Sequence, residues 1–225
     1  MSTVQGGQGN IVTNGLVLNL DAANPRSYPQ PYNGTTWTDL SPYRNDMILV
    51  NAPTFNPAGF ITFDNTDDFG YIDVTSTSGL IGGNVTMQLW VRNTSGNFIM
   101  QGKYGSYFGY GFYSNGLLKN SSGATGPSIA AYQGSSTWSN WAAIWDVANL
   151  QTVLYINGNL ISTSGNSSFS TNTGGRLVFG GAFNSNNTLN KEGSFTLGYY
   201  AQYNRALSAS EVLQNFNATR ARFGV

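Results

Sequence analysis

The chain has no cysteine and no histidine among its 225 residues. That excludes a disulfide framework, thiolate chemistry, Ser-His-Asp and Cys-His catalysis, and ordinary zinc sites. Charge is nearly as scarce: charged residues make up 9%, ten basic against ten acidic, so the net charge is zero. Such a balance leaves no electrostatic footprint for nucleic acid or for insertion into an anionic membrane. Glutamate occurs only at Glu192 and Glu211. No apolar run approaches the roughly 20 residues of a membrane-spanning helix. The opening MSTVQGGQGN has neither a basic nor an apolar stretch, so no secretory signal is expected, and synthesis and folding in a cytoplasm are.

What is abundant is glycine, 28 residues, together with asparagine, serine, threonine and a 14% share of aromatics. This is a turn-rich, β-leaning composition, and the length suits one undivided sandwich. Short apolar runs recur along the chain, at Leu16 to Asp21, Met47 to Val50, Phe60 to Asp64, Tyr71 to Val74, Val85 to Arg92, Trp141 to Asp146 and Phe195 to Tyr203. Asn157-Gly158 between two such runs predicts a two-residue hairpin with a type I′ turn, because both positions tolerate positive φ. Ser208 and Glu211 form a capping box at the start of a helix over 208–219, with Ala209, Val212, Leu213 and Phe216 as its expected buried stripe. The expected architecture is all-β, a two-sheet antiparallel jelly-roll sandwich with one short C-terminal helix. An arm, 1–14, precedes the domain, 15–225.

In order, Gly15-Leu-Val-Leu-Asn-Leu-Asp-Ala22, Trp37-Thr-Asp-Leu-Ser41, Phe63-Asp-Asn-Thr-Asp-Asp68, Leu89-Trp-Val91, Leu154-Tyr-Ile-Asn-Gly158 and Tyr203-Asn-Arg-Ala-Leu-Ser208 span nearly the whole chain. This series resembles the concanavalin A-like lectin/glucanase superfamily, in its laminin G-like branch, of the form found in phage structural proteins. The resemblance implies a sandwich, and a non-enzymatic role as a decoration or accessory protein of a phage head or tail. It carries expectations of a virion location, contacts with other virion proteins, homo-oligomers and weak binding of surface glycans. The alternative is a carbohydrate-binding lectin or tail-fibre adhesin. The glucanase motif Glu-x-Asp-x-x-Glu is absent, so a glycoside hydrolase is the least expected reading.

Candidate residues follow from both lines of argument. Trp138, set among Ser136, Thr137, Ser139 and Asn140, is the tryptophan expected to be exposed and the first candidate for glycan or partner contact. Trp90 is expected to lie buried against the other sheet. In the strand read at 107–113, Tyr107 and Tyr113 share a face with glycines, and with Tyr104 they offer aromatic surface for a sugar or a subunit. Arg220, Arg222 and Phe223 in the tail are expected assembly contacts. No catalytic residue is assigned, although Asp64, Asp67, Asp68, Asp73 and Asp146 are the available carboxylates. Asp64, Asp67 and Asp68 have the chemistry of a Ca²⁺ site, but side chains bonded to their own turn are the favoured reading, and no cofactor is assigned.

Overall fold

A computed structural model describes residues 10–29, 31, 33–80, 83–96, 98–102, 109–113, 116–118, 126–165, 175–183, 189–191 and 193–225. Two antiparallel sheets face each other across one core, as expected. The first runs Asn159–Gly165, Gln151–Ile156, Ser139–Asp146, Val85–Gly96, Gly193–Tyr203, Phe60–Asp64, Thr54–Asn56, with Leu16–Asp21 also beside Gly193–Tyr203. The second runs Gly116–Leu118, Gly109–Tyr113, Ile99–Gly102, Gly175–Phe179, Phe69–Val74, Met47–Val50, Thr36–Trp37. A separate pair, Gly181–Phe183 and Leu189–Lys191, completes the strands among the described residues. The hairpin turn at Asn157-Gly158 has φ of 50° and 76°, as the asparagine-glycine pair predicts.

The one α-helix among the described residues, Ala209–Thr219, has the expected capping box: Ser208 accepts from the Glu211 N–H while the Glu211 carboxylate accepts from the Ser208 N–H. Its buried stripe differs from the sequence expectation. Val212, Asn215 and Phe216 face inward, while Leu213 is 45% exposed. The cause lies beneath the helix, where the sheet's outer face is itself polar at its centre. Gln88 donates to Asn140 Oδ1 at 2.8 Å, and Asn215 donates to Gln88 Oε1 at 2.9 Å and to the Tyr203 hydroxyl at 3.0 Å. Asn215 Oδ1 in turn accepts from the Val12 N–H at 2.8 Å. An amide is therefore the side chain that satisfies this buried position, which a period-based reading assigns to an apolar residue.

Trp90 is buried, but not against the other sheet. Val85, Met87, Leu89 and Val91 fill the core between the sheets, and Trp90 points the other way, beneath the helix and tail. It stacks on Phe216 at 5.7 Å and on Phe223 at 4.4 Å, and its indole N–H donates to Thr219 at 2.7 Å. The strand is covered on both faces, which explains why its alternating pattern does not mark an exposed side.

Candidate functional site

The outer face of the first sheet is organised by Gly198. Around this residue the pairing of Gly193–Tyr203 with Val85–Gly96 shifts register, so Phe195 and Leu197 point inward before it and Tyr200 after it. The gap left by the missing side chain receives the Phe223 ring: a Cβ at Gly198 would lie 2.5 Å from Phe223 Cε1. Gly198→Ala is expected to displace the tail and cost about 1–3 kcal/mol of stability, read by denaturant unfolding. Phe223→Ala in the same background should recover part of that loss, because it removes the clashing ring.

The tail residues are thereby committed to their own sheet. Arg222 pairs with Asp21 and donates to the Gly198 carbonyl at 2.6 Å, while Phe223 lies on Trp90 and Trp138. Arg220 is exposed, with its guanidinium 5.7 Å from the Phe216 ring centre. The arm is also partly seated: Gln214 donates to the Asn10 carbonyl at 2.8 Å, and Tyr203 to the Val12 carbonyl at 3.0 Å. Residues 1–9 lie outside the described residues.

Trp138 is half-buried rather than exposed, while Trp37, Trp90, Trp141 and Trp145 are fully buried. Trp138 precedes Ser139, which pairs with Val91, and this register sets it beside Arg92. Phe60 closes the group from the next strand but one, at 5.6 Å and 65° to Trp138. The Arg92 guanidinium carbon lies 4.8 Å from the ring centres of both Phe60 and Trp138. Arg92 Nε is buried and its N–H donates to no acceptor among the described residues, and no carboxylate pairs with this side chain among them either. Beside the rings run two hydroxyl pairs, Thr62 with Thr196 at 3.1 Å and Ser95 with Ser194 at 2.9 Å. Rings, a cation and hydroxyls thus share one surface, drawn from four distant parts of the chain. The sequence singles out Trp138 as a glycan or partner contact and Phe223 as an assembly contact, while the parts played by Phe60, Arg92 and Gly198 have no local signal.

Of the tyrosines read as a contact face, Tyr104 and Tyr107 lie outside the described residues. Tyr113 is half-buried in Gly109–Tyr113, whose Tyr110 and Phe112 are core residues as expected. A separate cleft of about 290 Å³ opens where the sheets' edges meet, lined by Tyr28, Gly34, Thr35, Asn51, Thr54 and Phe55 among others.

Asp64, Asp67 and Asp68 place one carboxylate oxygen each within 4.8 Å of the others. Asp64 accepts from the Thr66 N–H at 2.7 Å, and this bond, the largest influence on it, holds its carboxyl below the usual range. Burial, with the neighbouring Asp64 and Asp67 charges, pushes Asp68 up to about 6. The spacing suits a hard cation held by oxygen ligands. It is near the separation of a retaining glycosidase pair, about 5 Å, but Asp64 is occupied in its own turn and Asp68 is 5% exposed.

Glu211 is the opposite case. Arg205, bonded at 2.6 Å and 3.0 Å, holds it down at about 2, with the Ser208 bonds assisting. Its contribution is complete above about pH 4.5 and is lost as pH falls towards 2. Both partners are about a quarter exposed, so solvent screens the pair. Glu211→Gln should cost about 1–2 kcal/mol near neutrality and almost nothing at pH 2, as measured by unfolding across that range.

The fold and this face define a β-sandwich with a lectin-like architecture. A family model described as the concanavalin A-like lectin/glucanases superfamily, of laminin G type, matches residues 65–213, and the chain belongs to that superfamily. No curated protein matches the chain. Among solved structures, the botulinum neurotoxin DC binding domain in complex with rat synaptotagmin II is similar, with a TM-score of 0.63 and 15% identity, over 90% of this chain and 51% of that one. A structure of botulinum neurotoxin type C, whose cell entry is described as dependent upon interaction with two ganglioside molecules, gives 0.64 and 14%, covering 90% of this chain and 51% of that one. The binding domain of serotype G gives 0.61 and 16%, covering 89% of this chain and 50% of that one. At these identities the likeness is one of fold, and this chain spans about half the length of those it matches. No helix among the described residues is long and apolar enough to cross a membrane.

Proposed function

We propose that the protein is a non-enzymatic recognition module that binds carbohydrate on the outer face of its first sheet, around Trp138. The observation that carries this reading is the half-buried Trp138, set against Phe60 and beside the two hydroxyl pairs. A pyranose has an apolar C–H face for the rings and hydroxyls for the polar groups, and such a surface offers both. The superfamily and the recognition roles named for proteins of the same fold support it. Trp138→Ala is expected to abolish saturable binding on a glycan array while the thermal midpoint stays within several degrees of wild type. Undiminished binding by the folded variant would remove Trp138 from the site.

A virion accessory role is a second reading, supported by the meeting of Asn10 and Val12 with Gln214 and Asn215 of the C-terminal helix on one face. That face would attach the module to a particle, with Arg220 exposed on it. Mass spectrometry of purified phage particles tests this, and absence from them removes the reading.

A further inference from the structure

We infer that Arg92 makes this face selective for sugars that carry a carboxylate, the uronate and sialate class. The inference rests on the glycan-binding reading above and deepens it. Arg176, Arg205 and Arg222 each have a carboxylate partner, Asp73, Glu211 and Asp21. Arg92 has none among the described residues, although it is half-buried and its Nε is shut away from solvent without an acceptor. A partly desolvated guanidinium gains more from an arriving acceptor than one in open water does, because it has already given up part of its hydration.

The rings define how such an acceptor arrives. Phe60 and Trp138 hold the guanidinium carbon 4.8 Å from each ring centre, which fixes the side chain without neutralising it. Its remaining donors form a fork that matches the two oxygens of a carboxylate. Thr196 lies opposite Arg92 on the neighbouring strand, and Thr62 lies opposite Thr196 on the next. A sugar anchored by its carboxylate at Arg92 therefore meets the Thr62 and Thr196 hydroxyls on one side and the Trp138 ring on the other. Further along, Asp64 lies opposite Ser194, and its charge disfavours an anion at that end of the row. The polarity of the face sets the direction in which the acidic group points.

Calorimetric titration with 3′-sialyllactose and trigalacturonate, against lactose and the carboxyl-reduced trisaccharide, tests the inference. The acidic probes should bind at least about tenfold more tightly than their neutral counterparts, the gain of one charge-assisted contact. Arg92→Gln should erase that preference and leave weak, Trp138-dependent binding of all four sugars, while Arg92→Lys should keep part of it. In the wild-type protein, raising salt from about 0.05 to 0.5 M should weaken only the acidic probes, a readout that needs no folded variant. Equal binding of acidic and neutral probes that Trp138→Ala abolishes would overturn the role of Arg92 and leave the module's function standing. A preference that survives Arg92→Gln, or sulfated lactose binding as tightly as the carboxylates, would overturn it too. If none of the sugars binds, both readings fall.

Discussion

Trp90→Ala should lower the unfolding free energy by about 3–5 kcal/mol, the loss expected for truncating a fully buried tryptophan. The indole is fully buried and is the floor on which the helix and tail rest. Truncation removes the stacking on Phe216 and Phe223 and leaves the Thr219 hydroxyl without its indole donor. Because Phe223 also touches Trp138, the loss should propagate to the candidate glycan face. Trp90→Phe keeps a ring in place and removes the hydrogen bond, and it should cost about 1–2 kcal/mol. Denaturant unfolding of both variants checks the pair of values. Similar losses for the two would mean that the hydrogen bond, not the rings, holds the helix.

Asp68→Asn should have the second largest effect, and in the stabilising direction. The Asp68 carboxyl is raised to about 6 by burial first and by the Asp64 and Asp67 charges second. The folded state therefore binds this proton more tightly than the unfolded chain, whose carboxyl has its ordinary value of 3.8. Wild-type stability at this residue rises as pH falls from about 6 to about 4, and above 6 the ionised group carries its full penalty. Asparagine carries no charge to desolvate at this buried position and should gain roughly 2–3 kcal/mol near pH 7.5. Near pH 4 the two proteins should be alike, which thermal unfolding at both values will show. A destabilised Asp68→Asn at pH 7.5 would mean that the charge has a favourable partner. Calcium is the partner we propose testing: an ion at this cluster should raise the wild-type midpoint and leave that of the variant unmoved.

The parts of the fold legible in sequence are those whose chemistry is local. Ser208, Glu211 and the Asn157-Gly158 turn act through their own backbone and neighbours within a few residues, so their roles can be read without knowing what lies across the sheet. The two-sheet sandwich was legible for a related reason, since alternating runs and turn residues report one strand at a time. Trp90 departs from the sequence expectation because its strand is buried on both faces, and alternation cannot say which cover is a sheet and which a helix. Leu213 departs from it because the neighbouring Asn215 satisfies buried amides and hydroxyls that belong to Gln88, Tyr203 and Val12.

By itself, the sequence determined the class of architecture, the helix and its cap, the main hairpin, and the exclusion of histidine- and cysteine-dependent chemistry. Each follows from residue type and short-range geometry. Only the tertiary structure decided that Phe60, Arg92, Trp138 and Phe223 share one surface around Gly198. Their meeting depends on strand order and on the register shift at Gly198, which reverses the face that later side chains present. Strand order is set by the packing of the whole sheet, and a one-residue shift in register changes the face of every residue beyond it. For that reason Arg92 reads in the chain as one more surface cation, and in the folded protein as a half-buried guanidinium held between two rings with no carboxylate beside it among the described residues.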